Sequence, residues 1–217
     1  MPRIGRKEQI LAAARQLFSE KGYHGTTIRD IAEASGILSG SLYAHIASKE
    51  DLLFAITNEG ADAFLAALEP IAAGPGDPAD KLKRGLIAHA RVVADHLDAA
   101  KVFFHEWRAL TDERRAVIQE KRDRYEAMWA AILEEGIRSG AFKPVNAKFA
   151  RLLILSAANW LYQWYNPAGP LSPETIAEQF ANLLLQGLSA ERKEKGGTRH
   201  DDGNAHPGGD SRGNPAR

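Results

Sequence analysis

Residues 27–50 read TIRDIAEASGILSGSLYAHIASKE, and this stretch decides the fold. Thr27 and Asp30 follow the Thr-x-x-Asp capping pattern that begins a helix. Gly36 then predicts a tight turn, and a third short helix is expected over residues 38–45. Two short helices joined by a glycine turn form a helix-turn-helix unit.

The spacing of three small or apolar residues supports this unit. Ala32, Gly36 and Leu42 give a small residue at the helix crossing, a glycine in the turn and an apolar anchor for the second helix. The second helix then exposes short polar groups and one phenol, which suit contacts to base edges and phosphates in a major groove. Many helix pairs with a glycine turn bind no DNA, so this alternative stays open here. The exposed residues are Ser39, Gly40, Ser41, Tyr43, Ala44 and His45.

A second capping pattern, Ser48 with Asp51, predicts a long helix that runs to about Ala73. Lys49 lies in its first turn, where a cation opposes the helix dipole at a cost of about 0.3–1 kcal/mol. A helix N-terminus binds anions well, so a DNA phosphate at this point would satisfy both groups. The alternative is a surface lysine paired with Glu50 or Asp51.

The rest of the chain predicts an all-α fold of about nine helices. Strand-like alternation is absent, and a first helix ends at Gly22. We expect a helix-turn-helix DNA-binding domain over residues 1–47, a ligand-binding and dimerisation domain over 48–190, and a disordered tail over 191–217. The tail has six Gly, two Pro and no Leu, Ile, Val or aromatic residue among its 27 residues. Later helices are predicted over 79–97, 99–109, 112–138, 147–165 and 173–189.

Composition excludes several classes of protein. The 217 residues contain no Cys, which rules out disulfides, a cysteine nucleophile and Cys-based metal sites. The 28 basic residues balance the 28 acidic residues, so a protein that binds nucleic acid non-specifically over its whole surface is not expected. His89 and His96 lack further converging ligands, and no phosphate-binding Gly-rich loop is present, so we expect no enzyme, no metal and no cofactor. The longest apolar stretch is too short to span a membrane, and we expect a cytoplasmic protein without a membrane partner.

The segments 26–32, 36–43 and 47–52 together resemble the DNA-binding domain of the TetR family of bacterial transcriptional regulators. The resemblance implies a homodimer that binds a pseudo-palindromic operator in double-stranded DNA. Leu38 stands where the family often has Ser; because Leu cannot cap a helix, the third helix is expected to start nearer Ser39. The positions that match the family's DNA contacts are Thr27, Ser39, Gly40, Ser41, Tyr43, His45 and Lys49.

The C-terminal half carries all four Trp and the candidate effector site. Large rings with a few polar residues at helical spacing suit an apolar pocket with polar anchors, although an aromatic stripe is more often core. Asn159 and Gln163 are four apart and are expected to share a helix face. The candidate ligand-binding residues are Phe104, Trp107, Arg108, Tyr125, Trp129, Asn159, Trp160 and Gln163.

Two short stretches, 36–43 and 164–173, resemble the TetR branch that represses fatty-acid or sterol-ring degradation genes. This resemblance implies a repressor released from its operator by an acyl-coenzyme A thioester or a similar apolar effector. A regulator of multidrug efflux that senses lipophilic drugs is the first alternative, and a helical interaction protein without DNA binding is the second. The apolar surface of the last two helices predicts the homodimer, as a four-helix bundle, unless other helices of the same chain bury it.

Overall fold

The computed structural model describes residues 5–188, and these residues form the expected all-α fold. The predicted disordered tail, 191–217, lies outside the described residues. The helices are α1 Arg6–Gly25, α2 Ile28–Ala34, α3 Ser39–Leu42, α4 Lys49–Ala73, α5 Pro78–Asp95, α6 Leu97–His105, a 3-10 turn Trp107–Ala109, α7 Asp112–Arg138, α8 Ala147–Asn159, α9 Leu161–Trp164 and α10 Pro173–Leu188.

Both predicted capping boxes are present and set where α2 and α4 begin. The Thr27 hydroxyl accepts from the Asp30 amide at 3.1 Å, and the Asp30 carboxylate accepts from the Thr27 amide at 2.7 Å. Ser48 and Asp51 make the same pair of bonds at 3.1 and 2.8 Å. Gly22 interrupts α1 at a φ of +75°, a left-handed conformation that glycine adopts without a steric cost.

Three predicted helices are wrong in extent. The predicted helix over 99–109 begins at Leu97 and ends at His105, and the separate 3-10 turn Trp107–Ala109 follows it. The third helix covers only Ser39–Leu42 rather than 38–45, because Leu38 offers no side-chain cap and lies outside the helix as its extended N-cap residue. The predicted helix over 147–165 is two helices, since the run from Ala147 stops at Asn159 and a new short helix begins after Trp160.

The helices share one continuous hydrophobic core. Phe18, Ile31 and Leu42 bury fully in the first three helices, and Leu53 continues the same core into α4. α4 packs on α1, α5, α6 and α7, while α10 packs on α5 and α8 on α7. Since α4 contacts helices on both sides of the proposed boundary at residue 48, the division into two domains stays a prediction.

The centre of the bundle is a close approach between α5 and α7. Trp129 is fully buried, and a β-carbon built on Gly85 would lie 2.9 Å from its Cη2 and 3.1 Å from Leu68 Cδ1. Only a glycine lets the two helices approach at this point. Within residues 5–188, no helix is both long enough and apolar enough to cross a lipid bilayer.

Gly85→Ala tests this packing. Alanine usually stabilises a helix interior by about 1 kcal/mol relative to glycine, but overpacking a filled core costs about 1–3 kcal/mol. We expect a lower melting temperature and a net loss of about 1–2 kcal/mol in the free energy of unfolding. Gly187→Ala, where nothing lies within 4 Å of the new methyl group, is the matched control and should not destabilise. Equal behaviour of the two variants would contradict the packing.

Candidate functional site

The first part of the site is the surface around α3. Leu42 is fully buried and Ile46 is 7% exposed, so these two side chains anchor α3 and the turn after it in the hydrophobic core. Tyr43 is 58% exposed, and the polar residues on either side also face outward. The structure therefore brings the predicted DNA-contacting residues of α3 and its flanks onto one accessible surface, which we call the reading surface; the helix-turn-helix that carries it is the reading unit. Of these, Gly40, Ser41, Tyr43 and His45 are exposed and Ser39 is half-buried.

Thr27 lies at the edge of this surface, at the start of α2. Its hydroxyl donates to the Asp30 carboxylate at 2.8 Å while it accepts from the Asp30 amide. A hydroxyl has a single donor hydrogen, and here that hydrogen is used within the cap. The Thr27 side chain therefore serves first as a helix cap, and a phosphate contact through it requires Asp30 to be displaced.

Lys49 makes contacts within the protein that the sequence did not predict, and its contact with a DNA phosphate stays a prediction. Its ammonium donates to the backbone carbonyls of Tyr23 and Thr26, both at 2.8 Å, and lies 4.2 Å from the centre of the Tyr23 ring. Burial also lowers the pKa of Lys49. The premise that this cation is left unsatisfied at the helix start is wrong, and so is the alternative pairing with Glu50 or Asp51. Lys49 ties α4 to the chain between α1 and α2.

Glu50 and Asp51 bond this first turn of α4 to the start of α7, in the part of the chain predicted to bind the effector, which we call the sensor half. Glu50 accepts from the Thr111 amide and hydroxyl, each at 2.9 Å, and Asp51 pairs with Arg114. The bond from the Thr111 amide holds the pKa of Glu50 below its usual value, and the Arg114 bond does the same for Asp51. The sequence showed no signal for these partners, because they lie about sixty residues away.

We call residues 48–51 the α4 junction. Its serine and aspartate cap the helix, its lysine holds the helix-turn-helix unit, and its two carboxylates hold the start of α7. These contacts occupy one helical turn and join the helix-turn-helix unit to the start of α7. The junction is one link between the two halves of the chain, beside the packing of α1 on α6, where Ser19 donates to Asp98 at 2.8 Å.

The second part of the site is a cavity between α4, α5, α6, α7 and α8. It has about 390 Å³ of atom-free space, part of it open to solvent, and only about 30 Å³ is accessible to the centre of a water-sized molecule. In this conformation the cavity has room for one or two waters and for no larger molecule. The residues that line it are Ala61, Phe64, His89, Phe103, Phe104, Lys121, Arg122, Tyr125, Glu126, Leu155 and Asn159.

Three of the eight predicted ligand-binding residues, Phe104, Tyr125 and Asn159, line this cavity. Trp107 is buried beside it and packs under the Arg122 guanidinium, 4.9 Å away. Trp129 belongs to the core instead, with its ring 6.4 Å from that of Tyr125.

The other three predicted residues lie outside the cavity. Arg108 is exposed and lines an open groove beside the 3-10 turn. Trp160 is 57% exposed, and Gln163 lines a separate surface groove next to α1. The expectation that Asn159 and Gln163 share a face is wrong, because α8 ends at Asn159 and the chain turns before Gln163.

The cavity contains a buried polar pair that sequence reasoning did not assign to it. His89 Nδ1 lies 2.9 Å from the Tyr125 hydroxyl, and both rings pack on Phe64. Burial lowers the pKa of His89 to about 4 and raises the pKa of Tyr125, so both groups are neutral near pH 7. His96, the other histidine considered in the sequence, is exposed. Within residues 5–188 no three potential ligands converge on a metal site.

The charged residues at the cavity differ in whether they are paired. Lys121 donates to Asn58 at 2.7 Å and pairs with Asp62, and Glu126 pairs with Arg151 at 3.4 Å. Arg122 has no hydrogen bond or ion pair with any described residue and rests on aromatic rings. Of the charged residues that line the cavity, the one without a direct ion pair to a described residue is therefore positive, although Glu126 and Asp123 lie near enough to attract it. The Arg-x-x-Tyr spacing places Arg122 on the same helix face as Tyr125, which is the sequence signal that could have found it.

Lys49→Met tests the role of the junction lysine. The methionine keeps the apolar stem but leaves two carbonyls without a charged donor, so we expect a loss of about 1–3 kcal/mol in the free energy of unfolding. Affinity for every DNA sequence should fall because the reading unit loses its support, while the salt dependence of DNA binding stays as in the wild type. Lys83→Met, which removes an exposed pair with Glu178, is the control. A salt slope smaller by about one ion would show that Lys49 contacts phosphate after all.

Comparison with known families agrees with this arrangement. Residues 10–56 match the model of bacterial regulatory proteins of the tetR family, and residues 75–188 match the model of the tetracyclin repressor-like C-terminal domain. The HTH-type transcriptional repressor KstR2 of Mycolicibacterium smegmatis is 31% identical over 193 residues, which cover 88% of this chain and 94% of that protein.

Two solved structures share the fold along most of the chain. Ketosteroid transcriptional regulator KstR2 of Mycobacterium tuberculosis superposes with a TM-score of 0.82 at 29% identity, covering 86% of this chain and 96% of that one. AibR, in complex with isovaleryl coenzyme A and operator DNA, gives 0.76 at 29% identity, with 83% and 98% covered. These relatives are regulators and not enzymes. The chain belongs to the TetR family and is a ligand-responsive, DNA-binding transcriptional repressor.

Proposed function

We propose that the chain is a homodimeric repressor that binds a pseudo-palindromic operator and is released by an acyl-coenzyme A thioester. The observation that carries the proposal is the exposed α3 surface, tied through the α4 junction to a helical bundle with an apolar cavity. Because its proposed target is operator DNA, we expect the repressor to act in the cytoplasm, where bacterial DNA lies. A helical interaction protein without DNA binding does not fit the family and is set aside. The proposed DNA contacts are Ser39, Gly40, Ser41, Tyr43 and His45.

The charge at the cavity favours an acyl thioester over a cationic drug. Glu126, the carboxylate that lines the cavity, pairs with Arg151, whereas Arg122 makes no direct ion pair with a described residue. An apolar pocket with one free cation suits a molecule with an apolar body and an anionic head. AibR, a structural relative, was solved with isovaleryl coenzyme A, which has this chemistry.

We infer that the effector changes DNA binding because the cavity is too small to admit it without a movement of the helices. With room for only one or two waters, the observed state cannot hold an acyl chain, so the effector must bind a state in which the helices around the cavity have moved apart. α7 lines the cavity and also carries Arg114, which holds the α4 junction. Opening the cavity therefore moves the reading surface of each subunit. The two α3 helices of the dimer must lie about 34–36 Å apart to fit successive major grooves, so such a movement weakens DNA binding.

The proposed dimer surface is a stripe on α8 together with one on α10. Phe149, Leu152 and Leu153 are 68%, 43% and 60% exposed and share one face of α8. On α10, Leu183 is 67% exposed while Ile176 is buried within the chain. The predicted apolar face is thus partly used internally, and the remaining part is what a second subunit would cover.

Leu153→Asp tests the dimer surface. A carboxylate at the centre of a buried subunit interface has no partner, so we expect the variant to be a monomer at micromolar concentration in analytical ultracentrifugation. Val117→Asp, at a 39% exposed position on α7, is the control and should sediment like the wild type. A dimeric Leu153→Asp protein would contradict the assignment of this face.

Arg114→Met tests the coupling between the two halves. The variant removes the guanidinium from Glu50 and Asp51, so we expect an effector to change operator affinity several-fold less than in the wild type, where such coupling is typically about 5- to 150-fold. Arg124→Met breaks a comparable pair between the same two helices, with Glu69, and serves as the control. Unchanged coupling in Arg114→Met would separate the junction from the response.

The function itself is tested by operator release. DNA fragments selected from the source genome by the full chain are bound at constant salt, and octanoyl-CoA, octanoate or a lipophilic cation such as ethidium is titrated in fluorescence anisotropy. We expect release by octanoyl-CoA at micromolar concentration and none by the cation. Release by the cation alone would favour the efflux regulator and contradict the thioester proposal.

A further inference from the structure

Two arginines meet at one indole just outside the cavity. The guanidinium carbons of Arg108 and Arg122 lie 5.4 and 4.9 Å from the centre of the Trp107 ring. Arg122 also lies 5.2 Å from the Phe103 ring. Planar guanidinium groups stack well on aromatic rings, and this stacking holds both cations in place without using their N–H donors.

Neither of these guanidinium groups is neutralised within residues 5–188. Neighbouring arginines of α7 do have carboxylate partners, since Arg115 pairs with Asp112 and Arg124 with Glu69. The Arg108 and Arg122 side chains have neither a hydrogen bond nor an ion pair with a described residue. Burial lowers the pKa of Arg122, and repulsion from Arg108 adds to this, while attraction to the Glu126 and Asp123 carboxylates acts in the opposite direction. Two like charges held together without a counterion are stabilised when an anion binds between them.

The two arginines lie between the cavity and the open groove beside the 3-10 turn. Arg122 lines the cavity, whereas Arg108 and Trp107 line the open groove that also contains Arg115 and Gln119. This groove is widely open to solvent and has about 680 Å³ of space for water-sized molecules, a volume within the range of small-molecule sites. The two arginines that line it, Arg108 and Arg115, exceed its one carboxylate, Asp112, by one positive charge. Phenylalanine rings supply the apolar part of the cavity wall, so a molecule that occupies both openings has an apolar part and an anionic head.

We propose that Arg108 and Arg122 form the head-group site of the effector and bind its phosphates at the mouth of the cavity. Guanidinium groups bind phosphate through paired N–H donors, and the stacking on Trp107 leaves those donors available. The proposal deepens the proposed function, on which its acyl thioester ligand rests. It also places the head group next to Arg115, the neighbour of Arg114, which pairs with Asp51 of the α4 junction. Binding in the groove would therefore act close to this junction.

The test measures binding of octanoyl-CoA to the full chain by calorimetry and by the quenching of tryptophan fluorescence. Arg108→Gln and Arg122→Gln are each expected to weaken binding by about 10- to 100-fold, the effect of losing a charge-assisted hydrogen bond. Arg91→Gln, which removes an exposed guanidinium paired with Glu174 on another face, is the control and should bind as the wild type does. Thermal melting checks that each variant is folded, and Arg122→Lys, which keeps the charge but not the paired donors, should lie between wild type and Arg122→Gln.

A second ligand separates a phosphate site from a merely structural effect. Octanoyl-dephospho-CoA, which lacks one phosphate, should bind the wild type more weakly and should lose less affinity than octanoyl-CoA does when an arginine of the pair is replaced. Unchanged octanoyl-CoA affinity in both Gln variants overturns the head-group site and leaves the proposed function intact. If octanoyl-CoA neither binds the wild type nor releases DNA, the thioester proposal fails and the head-group site fails with it.

Discussion

The first turn of α4 is the constraint on which the rest of the structure depends. Lys49 holds the backbone between α1 and α2, while Glu50 and Asp51 hold Thr111 and Arg114 at the start of α7. Charge-assisted hydrogen bonds of this kind are stronger and more directional than apolar contacts, so they fix the relative position of the elements they join. The reading surface has only a four-residue helix of its own, and its orientation is set by the helix to which it is tied.

In the proposed function, the nearly filled cavity and the α4 junction together act as a two-state device. Packed cores have discrete arrangements rather than a continuous range, so a ligand that needs more room selects a different arrangement of α4 and α7. The effector needs no contact with the DNA-binding half to act on it. It has only to bind the open arrangement more tightly than the closed one, because a ligand with equal affinity for both shifts nothing.

Local rules predicted most of the DNA-binding half from the sequence, and long-range geometry limited the rest. The two capping boxes, the glycine break at Gly22 and the span of α4 follow from neighbours within four residues, and the structure confirms them. Phe104, Tyr125 and Asn159 were found because large rings and their polar neighbours cluster in the sequence. Trp160 and Gln163 were misplaced because periodicity does not show where α8 stops. The partners of Lys49 lie in α1 and in the loop that follows it, more than twenty residues away, so no spacing rule could have found them. Arg122 could have been found from its spacing to Tyr125 on the same helix.

Amide hydrogen exchange at Thr111 tests the central claim most directly, since this amide donates to Glu50 and reports on the junction itself. Exchange is measured on the full chain, free and with octanoyl-CoA at a concentration that saturates its tryptophan fluorescence change. The account predicts that protection at Thr111 and at the Asp51 amide changes together with protection in the cavity helices. A change confined to the cavity, with Thr111 and Asp51 exchanging at the same rates in both states, would contradict a junction that transmits the effector's signal.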